Sequence, residues 1–232
     1  MSMKARFGDG QVLTATGLVL FSALLLVADL LDPTRGNSGI AALDIADVAA
    51  HPWAFLASTV LVLLSTIGLL AATAGLWRVA RTRSRRLTDV GAGLVALGAL
   101  GHAALVTFNG FLYEMRNGDP AEMVAMLDRV NSGPVLLMVF PMLLALAVGL
   151  IVLTIALRRA GMAPTWCLVT VCLVFFADFF GRALPGASYI VYVLNTVTYG
   201  WIAIIVLRMP AGTWNGAERT AEGLRGQVPQ VA

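Results

Sequence analysis

Six apolar runs, each about as long as a bilayer is thick, divide this chain and leave it few folds to adopt. They cover 12–31, 53–77, 90–112, 134–157, 165–180 and 188–207. A helix needs roughly 20 mostly apolar residues to cross a ~30 Å hydrocarbon layer. In that layer backbone N–H and C=O groups find no water, so the chain must satisfy them internally. The expected fold is therefore all-α: a polytopic bundle of six transmembrane helices. Composition agrees. The chain is 59% hydrophobic and 12% charged, with mean hydropathy +0.83, whereas soluble domains run nearer 45–50% and about 25%. The first run contains Asp29, and no small-x-small site follows it, so it reads as a span rather than a cleavable leader.

Charge sets the expected orientation. With the N-terminus inside, the inner segments hold Lys4, Arg6, Arg78, Arg81, Arg83, Arg85, Arg86, Arg158, Arg159, Arg208, Arg219 and Arg225, twelve in all. The outer segments hold Arg35, Arg116, Arg129 and Arg182, four in all. Basic residues favour the cytoplasmic side, so both termini are expected there. The same placement accounts for the pI of about 9.2 without nucleic acid. Three regions follow: a cytoplasmic tail 1–10, a membrane domain 11–208, and a polar, disordered cytoplasmic tail 209–232. Arg supplies fifteen of the sixteen basic residues. This usage, with abundant Ala and Gly, fits a bacterial plasma-membrane protein.

The connections carry local signals. Gly161 can end one helix in a left-handed conformation and Pro164 can open the next. Asp119-Pro120-Ala121-Glu122 reads as a helix N-cap with a first-turn proline and a capping-box acid. Met123, Met126, Leu127 and Val130 then share one face of a short amphipathic helix in the outer loop between the third and fourth spans. Residues 40–50 are a weaker version. Such helices can gate the bundle or simply shorten a loop. Gly68/Ala72 and Ala71/Gly75 in the second span, and Gly91, Gly98 and Gly101 in the third, predict close packing of these two spans as a hairpin. Pro141 is expected to disturb the outer part of the fourth span.

Ionisable and polar groups within spans are costly and therefore informative. Asp29 ends the first span, with Ser22 seven residues earlier on the same face. His102 and Asn109 repeat that spacing in the third, followed by Tyr113 and Glu114. Asp178 in the fifth has Arg182 at i+4, in reach of an ion pair. Tyr189, Tyr192, Asn195 and Tyr199 form a stripe on the sixth. Phe108, Phe111, Phe140, Phe175, Phe176, Phe179 and Phe180 add rings at similar depth. Each has a structural reading: helix-end contact with water for Asp29, a boundary ion pair for Asp178 and Arg182, a carbonyl bond for His102, full solvation for Glu114, the interfacial aromatic belt for Tyr189 and Tyr192, and ordinary helix packing for the phenylalanines. Taken together they predict a ring-lined chamber in the outer half of the bundle. Metal chemistry is not indicated, since CxxC, HExxH and DDxxD-type clusters are all missing. Cys167 and Cys172 sit five apart in one apolar helix and read as core residues.

A carboxylic acid in such a chamber can start a cyclisation. Desolvation disfavours the charged form of a carboxyl, and a neutral acid can protonate an alkene or epoxide. Ring faces would then steady the carbocation, and a second group would take the final proton. Asp29 is the preferred acid, because no cation lies beside it in sequence. Asp178 is the rival, with Glu114, His102 or a tyrosine as terminal base or orienter. Asn109, Tyr113, Phe108, Phe176, Phe179, Arg182, Tyr189, Tyr192, Asn195 and Tyr199 would line the substrate site.

In size, helix count, outer-half carboxyls and aromatic-rich late spans, the chain resembles small bacterial, chiefly actinobacterial, six-helix membrane proteins. These include the membrane-bound terpene cyclases of terpenoid-alkaloid and meroterpenoid pathways. The likeness covers most of 11–208, including GLWRVARTRSRRLTDVGAGLVALGALGHAALVTF and Met126-Leu127-Asp128-Arg129-Val130. It implies a metal-free, cofactor-free cyclase, of isomerase or lyase type, acting on a prenylated lipophilic substrate in the bilayer. Two other classes stay open: a proton-coupled small-molecule transporter, for which a homodimer would supply a missing half, and a non-catalytic membrane subunit.

Overall fold

A computed structural model describes residues 9–34, 40–180, 187–210 and 213–214. Its regular elements among these residues are all helical: α1 (Asp9–Leu31), α2 (Ala41–Ala50), α3 (Pro52–Met115), α4 (Pro120–Asn131), α5 (Pro134–Arg159), α6 (Thr165–Phe180) and α7 (Ala187–Arg208). Four helices are long and apolar enough to cross a membrane: α1, α3, α5 and α7. The apolar α6 is shorter, at 16 residues.

The 64-residue α3 would be about 96 Å long if straight. It is not straight. Ser84 leaves helical geometry, with φ −145° and ψ 56°, and the chain folds back there. Trp77 Nε1 donates to Asp89 Oδ1 at 2.8 Å across the hinge. Farther along, Thr66 Oγ1 meets His102 Nδ1 at 3.3 Å, and Asn109 Nδ2 donates to Thr59 Oγ1 at 3.4 Å. Each pair is nearly equidistant from Ser84, so arms 52–83 and 85–115 run antiparallel, side by side. Asp89 also pairs with Arg81 at 2.9 Å and Arg85 at 3.8 Å, which ties the basic elbow together.

The hairpin expected from sequence is present, but its small residues do not join its two arms. They receive other helices. A Cβ on Gly17 of α1 would lie 2.6 Å from the Gly68 carbonyl oxygen of the first arm. A Cβ on Gly98 of the second arm would lie 2.4 Å from Leu146 Cα of α5. Only glycine allows either approach. Within the hairpin, polar side chains take over the joining role.

The remaining contacts close a ring. Helix α7 meets α1 where Thr196 Oγ1 donates to the Ser22 carbonyl at 3.3 Å and Gln11 Nε2 donates to the Val206 and Met209 carbonyls. Trp166 of α6 meets Trp201 of α7 edge to face, with centroids 6.0 Å apart. Helices α5 and α6 pack on each other after a tight turn. That turn uses Gly161 at φ +75°, with Met162 N–H donating to the Leu157 carbonyl at 2.9 Å, the arrangement that closes a helix C-terminus at a left-handed glycine.

Two apolar clusters result. The larger joins α1, both arms of α3, α5, α6 and α7, and includes Leu18, Leu69, Val95, Leu153, Ile202 and Val206. The smaller lies at the opposite end of the hairpin from Ser84, where α2 and α4 pack over the arm ends through Ile45, Val48, Phe55, Leu112, Met115 and Leu127. Helix α4 starts as its sequence dictates, with the Asp119 carboxylate accepting from the Ala121 and Glu122 N–H groups. Helix α5 continues through Pro141. Beyond α7 the chain is still packed: Trp214 is fully buried in the larger cluster, although the sequence reading began a disordered tail at Met209.

Candidate functional site

In the half remote from Ser84, α1, the α3 arms and α7 all contribute polar groups. Ser58 and Thr59, Ser65 and Thr66, then Thr73 recur every seven residues of the first arm and are all buried. Seven residues are nearly two helical turns, so they share a face. His102 and Asn109 have the same spacing on the second arm, and the two faces meet as a ladder of polar pairs. Interhelical bonds of this kind hold helices together in lipid, where apolar surface gives no net attraction. The serine-threonine repeat is visible in the sequence as a seven-residue spacing, although it was not among the candidate groups drawn from it.

Asp29 is half-buried on α1, two residues before the helix ends. It shares a face with the fully buried Ser22, so its carboxyl is on the side of α1 turned to the bundle. Asn195 of α7 is buried and Tyr192 is half-buried. The Thr196 bond to Ser22 registers α7 against α1 and sets Tyr192 and Asn195 at the depth between Ser22 and Asp29.

Other expected members sit elsewhere. Glu114 is exposed at the end of the second arm. Tyr113 and Phe108 pack against the α2–α4 cluster, and the Arg116 guanidinium lies 3.6 Å from the Tyr113 ring centroid. Phe176 is 57% exposed and Tyr189 45% exposed, so much of each ring faces away from the bundle. Tyr199 lies deeper, in the larger apolar cluster, edge-on to Phe21 at 5.2 Å. Tyr199 and Thr73 line the same small void, with room for a single water, and neither hydroxyl has a partner among the described residues. Arg182 lies outside the described residues, as do the side chains of Asp178 and Phe179.

The seam between α1 and α7, registered by the Thr196 bond, thus has Asp29 and Ser22 on one helix and Tyr192 and Asn195 at similar depth on the other, while His102 and Asn109 lie on a second seam, within α3. No three His, Cys, Asp or Glu side chains among them converge as metal ligands. Helices α1 and α7 carry a carboxyl, a phenol and an amide in this half of the bundle. The α3 seam has its polar atoms engaged in joining the arms. No family model, curated protein or solved structure matches the chain.

Proposed function

We propose that this chain is a six-span plasma-membrane protein with both termini in the cytoplasm, and that it cyclises a prenylated, membrane-dissolved substrate by protonation. Six crossings are supported by the fold-back at Ser84, which turns one 64-residue helix into two membrane-length arms, and by the apolar α6. At about 24 Å, α6 is short for an average bilayer, and modest local thinning accommodates it. Orientation rests on the twelve-to-four distribution of basic residues. In that orientation α2 and α4 cover the outer mouth, and the elbow at Ser84 faces the cytoplasm.

The observation that carries the reaction is Asp29: a half-buried carboxyl in an apolar helix, on the face it shares with buried Ser22. A neutral Asp29 would donate its proton to an epoxide oxygen or alkene carbon. The substrate's own π-bonds would then close the rings, and loss of a proton from the last cation would restore the balance. The product is an isomer of the substrate, so no redox partner is consumed. Tyr192, on the same seam, would turn a ring toward the developing cation. This assignment also carries forward the resemblance to membrane-bound terpene cyclases.

The test is to incubate membranes containing the full chain with a panel of prenylated arenes and their terminal epoxides, and to look by mass spectrometry for isomeric cyclic products. Positioned general acids contribute about 10²- to 10⁴-fold, so Asp29→Asn should lower turnover by at least about 10²-fold while Glu114→Gln leaves it nearly unchanged. Full activity in Asp29→Asn would remove Asp29 as the acid. No conversion of any panel member by the wild type would remove the cyclase reading and leave transport as the next to test.

A further inference from the structure

A cavity lies at the other end of the molecule. The elbow of α3, the turn between α5 and α6, the last turn of α7 and the turn at Thr213 enclose an open cleft of about 450 Å³. That volume is in the range of small-molecule sites. Val79, Met162, Ile205 and Met209 give it apolar walls, and Arg83 and Arg208 give it charge.

Among the described residues no acid pairs with either charge. Arg83 Nη1 donates to the Ala160 carbonyl at 2.8 Å. This bond fixes the guanidinium at the rim and leaves its other N–H groups available, since a guanidinium carries five donors. Arg208 ends α7 and has no side-chain partner among the described residues. No acid among the described residues lines the cleft. Asp89, the acid of the elbow, is already engaged by Trp77, Arg81 and Arg85. Ends of both polarities meet here, from α5 and α7 and from the second arm and α6, so the helix dipoles largely offset and side-chain charge decides.

Two cations, one of them fixed at the rim, over an apolar trench at the end of a membrane bundle match an amphiphile with an anionic head. Basic pockets between spans have this chemistry, and anionic lipids collect at such surfaces. Free phosphate would use the arginines but gain nothing from Val79, Ile205 and Met209. The geometry points to a binding site for the phosphodiester headgroup of an anionic phospholipid, with Arg83 and Arg208 on the phosphate and an acyl chain along the apolar wall. The site is separate from the α1–α7 seam and independent of the reaction assigned there.

The experiment is native mass spectrometry of the delipidated full chain, titrated in mixed micelles with phosphatidylglycerol or phosphatidylcholine of identical acyl chains. Phosphatidylglycerol should bind at least ten-fold more tightly. Arg83→Gln and Arg208→Gln should each weaken it about five-fold, the scale of one basic residue beside a membrane surface. Arg158→Gln and Arg159→Gln, at the same end but outside the cleft, should change it less than two-fold. Arg208 is exposed and has no side-chain partner among the described residues, so its variant reads the site even if Arg83→Gln disturbs the elbow. Three results would overturn the proposal: equal binding of the two lipids, losses in the Arg158 and Arg159 variants matching that of Arg208→Gln, or displacement of phosphatidylglycerol by millimolar glycerol 3-phosphate, which would mark a site for free phosphate esters.

Discussion

The two apolar clusters use similar side chains, but in the proposed membrane placement they answer to different solvents. The larger one, around Leu69 and Val95, is bounded laterally by lipid-facing residues such as Leu70 and Leu97, which are exposed on the bundle surface. Its helices gain little from hiding leucine, because acyl chains are as apolar as leucine. They gain from close fit, which is why Gly17 and Gly98 sit where a Cβ would strike backbone. The smaller cluster joins α2 and α4 to the hairpin's far end. Helix α4 carries Glu122, Asp128 and Arg129 on its exposed side, and such a helix faces water. There the ordinary hydrophobic effect operates, and shape matters less.

The contrast predicts unequal costs for the same truncation. Leu127→Ala, in the smaller cluster, should lose both transfer and cavity terms, about 3 kcal/mol. The loss should be local: amide exchange at 41–50 and 120–131 should quicken while the melting temperature of the bundle in detergent hardly moves. Leu69→Ala should lose only the cavity term, about 2 kcal/mol, but from the whole bundle, lowering its melting temperature. Equal global destabilisation by both variants would show that the α2–α4 layer is part of one cooperative unit and end the distinction.

A second pair isolates close fit. Gly98→Ala would drive a methyl group into Leu146, and Gly93→Ala on the same arm meets nothing within 4 Å. Overpacking typically costs about 1–3 kcal/mol, so Gly98→Ala should destabilise by about 2 kcal/mol. Gly93→Ala should be neutral or stabilising by up to about 1 kcal/mol, since alanine is the better helix former. A neutral Gly98→Ala would mean that α3 and α5 can separate slightly at no cost.

The all-helical fold and its long apolar helices were legible because hydropathy and backbone satisfaction act on long segments. The capping of α4 and the Gly161 turn were legible because each depends on a few adjacent residues. Partner choice was not. The sequence shows that Gly68 and Gly98 admit close neighbours, but nothing in a single chain says whether the neighbour is the other arm or a third helix. The polar site was half legible for the same reason. Asp29 and Ser22 share a face in any α-helix, so that relation survived. His102 and Asn109 were read with the charged groups, when their partners were the uncharged Thr66 and Thr59. Trp214 was taken as part of a polar tail, because burial of one ring after a helix end depends on a gap that only the assembled bundle provides.

The smallest effect bears on that reassignment. If Thr66 and His102 serve to join the arms, a double-mutant cycle of Thr66→Val and His102→Ala should give a coupling near the modest average for interhelical bonds in membrane proteins, about 0.6 kcal/mol and at most about 1.7. The reading is thermal or denaturant unfolding in a fixed detergent. Turnover should fall only as far as folding does, because in this arrangement the imidazole positions an arm and touches no substrate. A catalytic base would behave otherwise. His102→Ala would then cost about 10²-fold or more in rate at unchanged stability, Thr66→Val would leave His102 able to act, and the stability cycle would show no coupling. The measured ratio of the two effects therefore decides whether the polar ladder of α3 is scaffold for the α1–α7 seam or the other wall of a shared chamber.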